Sequence, residues 1–138
     1  MIVVAVLTIL GTLALPAYEN YVKEARIATA IKQIQQISLI LDDLYFDGNP
    51  PPTLAAAGVS LTDPWGQPYQ YLWLRGNPAP GLNGLRRRDK SLNPVNTDYD
   101  LYSIGADGLT VPQFNGPKAH DDVVRANDGD FVGLAEDH

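Results

Sequence analysis

The chain has 138 residues, no cysteine, and 16 acidic against 10 basic side chains, for a net charge of −6. That length fits one domain. The lack of cysteine excludes disulfide scaffolds, thiolate zinc sites and cysteine nucleophiles, and the negative charge argues against general binding to nucleic-acid phosphates. His120 and His138 are the only histidines, so a three-histidine zinc site is excluded too. The charge is uneven: from Asp98 onward nine acids stand against Lys118 and Arg125, a net of −7, while residues 1–97 sum to +1.

Met1 to Tyr18 carries no charged side chain. As a helix this run spans roughly 27 Å, slightly short of the hydrocarbon core of a bilayer at about 30 Å. A signal peptide opens with basic residues, and none stands here before the apolar stretch, although Thr12 and Ala14 give a partial cleavage pattern. A buried helix of a soluble protein needs a polar face, and Val3, Val4, Ala5, Val6 and Leu7 leave none. The run is therefore read as a membrane or filament-core segment. Pro16 marks a kink or break, yet polar Glu19, Lys23, Glu24, Arg26 and Lys32 continue in phase with a stripe of Ile27, Ala30, Ile31, Ile34, Ile37, Leu41 and Leu44. The pattern predicts one helix from about Ile2 to Tyr45.

Gly48 and Pro50, Pro51 and Pro52 end that helix. Thr53 is placed to cap a helical turn over Leu54 to Ala57, closed by Gly58. Asp63-Pro64-Trp65-Gly66 carries type I turn residues at its first, second and fourth positions. Tyr69, Tyr71 and Trp73 alternate with Gln70, Leu72 and Leu74, which predicts a strand with an aromatic face, either packed on the long helix or serving as a stacking platform. The segment from Gly76 to Pro94 reads as a loop and holds the only basic cluster, Arg86, Arg87, Arg88 and Lys90 around Asp89. It is taken as a solvated loop, with pairing between subunits or polyanion contact as its functional readings. Asp98 to Ile104 alternates again, and Asp122 to Arg125 and Phe131 to Leu134 are predicted as short strands.

Asp107, in Gly105-Ala106-Asp107-Gly108, and the Asp121-Asp122 pair are candidate oxygen ligands for a hard cation, with turn capping as the alternative. Between them, the stretch from Gly108 to His120 lacks periodicity, so an ion clipping its ends would offset part of its ordering cost. Asn96, Asp98, Asp100 and Asp107 imitate EF-hand spacing, but Leu101 occupies the glycine position and Asp107 is shorter than the usual glutamate. There is no nucleophile elbow, P-loop or dinucleotide fingerprint, so no enzyme is expected, with an aspartate dyad, whose pairing in space sequence does not show, left as the open catalytic alternative.

The stretch MIVVAVLTILGTLALPAYENYVKEARIATAIKQI resembles the N-terminal helix of the type IV pilin superfamily. Downstream, DPWGQPYQY followed by YDLYSIGADG and the Asp-Asp pair is similar to the major pseudopilins of type II secretion systems. The resemblance implies an α+β, type IV pilin-like fold: a long N-terminal helix packed on a small antiparallel sheet of three to four strands, with a calcium-binding C-terminal loop. Residues 1–17 would be the apolar membrane or filament-core part, exposing Ile2, Val6, Ile9, Leu13 and Pro16. Residues 18–138 would form the globular domain, with the amphipathic helix half at 18–46 and the sheet and loops at 47–138. Calcium would map to the Ile104 carbonyl, Asp107, Asp121 and Asp122.

The resemblance further implies a non-enzymatic subunit that forms a helical homopolymer, a pilus-like filament or a pseudopilus. Its partners would be other pilins or pseudopilins, an inner-membrane assembly platform and a prepilin peptidase acting on the precursor, with nucleic acid not expected. It would sit in the bacterial inner membrane before assembly and then in a periplasmic or extracellular filament. Two departures stand out. The family's basic leader, glycine, phenylalanine and nearby glutamate do not precede Met1, so about six mature residues are expected before it, and the filament-register glutamate is unassigned. The gap from Asp107 to Asp121 is also longer than the family pattern, which opens Asp128 or Asp130 as substitute ligands. Two alternatives are an adhesive or DNA-binding pilin contacting through Arg86 to Lys90, and a secreted calcium-binding module or enzyme cut near Leu15.

Overall fold

A computed structural model describes residues 2–138, with Ile2 given by its backbone alone, so its side chain lies outside the described residues. Helix α1 runs Ile2–Phe46, 45 residues with Pro16 inside it, about 67 Å at the usual rise. Proline removes one ladder hydrogen bond, and the helix passes through it without ending. It ends where the sequence places glycine: Asn49 N–H donates to the Leu44 carbonyl at 3.0 Å and Gly48 N–H to Tyr45 at 3.1 Å. With Gly48 at φ +73°, this is a Schellman motif, in which a left-handed residue satisfies the last helical carbonyls.

Four short strands follow: β1 (Gln70–Trp73), β2 (Tyr99–Ser103), β3 (Val123–Ala126) and β4 (Phe131–Leu134). They form one antiparallel sheet in chain order. The turn before β1 is built as its residues suggest. Gly66 N–H donates to the Asp63 carbonyl at 2.9 Å, and Asp63 Oδ1 accepts from Trp65 and Gln67 N–H at 3.0 and 2.8 Å. Between β1 and β2 a single helical turn, α2 (Leu82–Leu85), interrupts the stretch read as loop. The turn expected at Leu54 to Ala57 forms hydrogen-bonded turns rather than a helix, with Ala56 N–H donating to Thr53 Oγ1 at 3.2 Å. Three prolines just before it leave too few residues to propagate a helix.

The sheet is covered on both faces. On one, Ala30, Ile34, Ile37 and Leu41 of α1 pack with Val59, Tyr69, Tyr99, Leu101 and Val123. The aromatic strand face belongs to this layer: Tyr69 donates to Gln33 Oε1 at 2.7 Å, and the Tyr45 and Tyr71 hydroxyls lie 3.0 Å apart. On the other, Val95, Phe114, Val124, Ala126 and Ala135 form a second cluster beneath the connecting loops, with Tyr102 and Phe131 beside it. The period of two along β2 and β3 thus serves two cores.

Truncating Ile34 or Ile37 to alanine should cost about 2–5 kcal/mol, because each is fully buried and leaves a cavity. Leu39→Ala, at a position 73% exposed, should cost less than about 0.5 kcal/mol. Urea unfolding of the full chain in mild detergent, followed by near-ultraviolet circular dichroism, measures all three.

Candidate functional site

Two surfaces carry functional chemistry, the first being the N-terminal half of α1. From Val3 to Tyr21 every residue is exposed, including Val6, Ile9, Leu13 and Pro16, and Val3, Leu13 and Leu15 are each more than 60% exposed. Among the described residues this is the one helix long and apolar enough to cross a membrane, and none of that stretch is buried. Thr8 and Thr12 return their hydroxyls to the Val4 and Ile9 carbonyls, both at 2.8 Å, so their polar groups are spent within the helix. A large apolar surface with no intramolecular partner marks an interaction site.

The second is the C-terminal loop and what lies beneath it. Gly105 at φ +66° brings the chain against Asp121 so closely that a Cβ there would lie 2.3 Å from the Asp121 carbonyl oxygen. Asp121 Oδ2 accepts from Asp107 N–H at 3.0 Å, and Asp107 Oδ1 accepts from Leu109 N–H at 2.7 Å. The peptide after Ile104, together with Asp107 and Asp121, therefore meets at the mouth of the 108–120 loop. Asp122 does not join them. It is fully buried, and its Oδ2 accepts from Arg87 Nη2 at 2.6 Å and from Thr110 Oγ1 at 2.5 Å. Burial outweighs the pull of Thr110 and Arg87, and its carboxyl is pushed up to about 6.

Arg87 corrects the reading of the basic cluster as a solvated surface. It is 2% exposed, its guanidinium lies 4.1 Å from the Tyr102 ring centre, and its backbone N–H donates to Asp100 Oδ2 at 2.7 Å. Arg86 and Arg88 are half-buried, and of the four cations only Lys90 is exposed. The EF-hand-like set does not converge either. Asn96 donates to Asp100 Oδ1 at 2.9 Å, Asp98 pairs with Arg125, and Asp107 lies in the C-terminal loop. Asp128, at the far end of β3 from Asp122, accepts from Thr97 N–H and Oγ1 at 2.6 and 2.7 Å. It is thus no substitute ligand, and the Asp130 position shares that hairpin.

Calcium takes about six to eight oxygens. Here the Asp107 and Asp121 carboxylates already accept backbone N–H groups, and Asp122 is turned inward onto a cation. Among the described residues no group of three or more His, Asp or Glu is set to hold a metal. The residues do not fit a calcium cage as they stand, and Asp122 leaves the ligand set that the resemblance implies.

The long apolar-headed helix on a four-stranded antiparallel sheet can be set beside known proteins. No family model matches the chain, and no solved structure matches it. The type II secretion system core protein G of Pseudomonas aeruginosa is 31% identical over 131 residues, covering 78% of this chain and 79% of that protein. This chain belongs to that family, the major pseudopilins. It is a structural subunit of pilin-like α+β fold and not an enzyme.

In this pseudopilin a second buried arginine holds the helix face of the sheet. Arg125 Nη2 donates to Asp98 Oδ2 at 2.7 Å and lies 3.7 Å from Asp42 Oδ1 of α1, with its guanidinium 4.0 Å from the Tyr99 ring centre. Burial would lower the Arg125 pKa, but the Asp98 hydrogen bond and the charges of Asp98 and Asp42, with Tyr99, together raise it. Sequence reading missed this pair because Arg125 sits where β3 is expected to be apolar; its alternation with Val124 and Ala126 was the available signal. Asp98→Ala should cost about 3 kcal/mol by leaving a buried guanidinium underpaired. Arg125→Met with Asp98→Leu should recover most of that loss in the same urea titration, and a loss under about 0.5 kcal/mol for Asp98→Ala would refute the pairing.

Proposed function

We propose that this pseudopilin polymerises through the exposed apolar half of α1 into the helical filament of a type II secretion machine, standing in the inner membrane before assembly. The observation that carries this reading is the asymmetry of α1. Ala30, Ile34, Ile37 and Leu41 are buried on the sheet, whereas Val3 to Leu15 is apolar all round with no partner inside the fold. Packing those surfaces between neighbouring subunits supplies the driving force, at roughly 25 cal/mol per Å² of apolar area removed from lipid-free solvent; in lipid, close van der Waals packing takes over. The relative's place in a type II secretion system supports a pseudopilus over a pilus. Other pseudopilins, an inner-membrane platform and a prepilin peptidase are the partners this reading requires.

The two rival readings lose support. A polyanion contact built on Arg86 to Lys90 loses its central cation to the interior. A secreted form cut near Leu15 would have to be cleaved within a continuous helix.

Ile9→Asp tests the filament core. A charge at that depth costs roughly 2.5–3.5 kcal/mol in an apolar surround, so sheared filaments, normalised to the membrane-fraction level, should be lost while the circular dichroism of the detergent-solubilised chain stays unchanged. Normal filament yield, counted by electron microscopy, would sink the reading.

A further inference from the structure

The 108–120 loop contains no helix or strand, and something must hold its two ends. Arg87 touches both. Nη1 donates to Thr110 Oγ1 at 2.6 Å and to the Val111 carbonyl at 2.9 Å at the loop's start, and Nη2 reaches Asp122 at 2.6 Å at its end. Midway, the Phe114 ring centre lies 5.3 Å from the same guanidinium. The arginine backbone is fixed as well, by its bond to Asp100 on β2 and by Val95 N–H donating to its carbonyl at 3.0 Å. Arg88 extends the clasp as backbone: its N–H donates to the Pro112 carbonyl, and its carbonyl accepts from Phe114 N–H, both at 3.0 Å.

We propose that the Arg87 guanidinium is the resident cation of this C-terminal loop, clipping Thr110, Val111 and Asp122 together, so that the subunit holds its loop without calcium. A guanidinium suits the task, since it remains charged when buried and its planar fork bonds several oxygens at once. Within this clip two buried atoms have no partner, Arg87 Nε and Asp122 Oδ1. On Asp122 only Oδ1 is left for a divalent ion, which would have to share that carboxylate with the guanidinium, against the repulsion of like charges. The clip is set by loop geometry and is independent of polymerisation.

Thermal unfolding and amide hydrogen exchange of the full chain in detergent micelles test it. For the unaltered chain, the melting midpoint in a calcium chelator and in about 1 mM calcium chloride should agree within about 1 °C, with magnesium chloride as control. A site half-saturated near 1 μM would instead raise it on the order of 10 °C, and such a calcium-specific rise overturns the proposal. Arg87→Gln should speed amide exchange across residues 108–120 roughly tenfold or more relative to the sheet. Should that variant fail to fold, Thr110→Val removes one clip contact and should raise exchange in the same residues by a smaller factor. Unchanged loop exchange in whichever variant folds overturns the proposal too, because the guanidinium would then be holding nothing.

Discussion

One unbroken helix must satisfy two environments, and most of this pseudopilin's structure depends on that. Over Ala30 to Leu41 the helix buries a stripe of four apolar residues in the sheet; over Val3 to Tyr21 it buries none. The same backbone carries both, so the spacing of apolar residues alone switches the partner, from a stripe that faces one way to a surface that faces all ways. Pro16 falls inside the exposed part, where the lost backbone hydrogen bond disturbs no packing within the subunit.

The sheet that receives the helix is organised around β2. Its residues alternate between two buried arginines: Tyr99, with Asp98 just before it, meets Arg125 on the helix face, and Asp100 and Tyr102 meet Arg87 on the loop face. Each guanidinium stacks on a tyrosine and is paired with an aspartate. Buried ion pairs of this kind add little net stability compared with apolar packing, but their directionality fixes which groups meet. In a domain whose strands are only four or five residues long, that directionality sets the register of loops that hydrophobic burial would leave loose.

The elements set by short-range patterns were readable in the sequence. The helix stripe, the Asp63 turn, the alternating strand of Tyr99 and Leu101 and the β3–β4 hairpin all lie within one or two residues of their expected bounds, because each is encoded by neighbours in the chain. What could not be read was pairing across distance. Arg87 and Asp122 are 35 residues apart, and nothing local distinguishes Arg87 from Arg86 or Arg88, which stay half-buried. A run of arginines ordinarily marks a solvated surface; only the loop folded over β2 shows that the middle one is enclosed. The Asp121-Asp122 pair divides for a similar reason: just before β3, Asp122 is enclosed against Arg87, 35 residues away, while Asp121 stays half-buried in its own loop.

The segment charge count takes on a different meaning in the fold. The acidic third, net −7 by sequence, receives Arg87 from the nearly neutral first two-thirds. Its buried acids are thereby compensated: Asp122 by Arg87, and Asp100 by Asn96 and a backbone N–H. Asp98, nearly buried, is met by Arg125. Asp107, Asp121, Asp128, Asp130, Glu136 and Asp137 remain at least partly in contact with solvent, where water stabilises their charge. The interior beneath the loop thus needs no divalent ion to neutralise it. A bound ion would meet an Asp122 carboxylate already paired with Arg87, and surface carboxylates that each accept a hydrogen bond from their own loop. The structural task that the long acidic loop poses, holding its two ends against conformational entropy, falls to a side chain carried by the subunit itself.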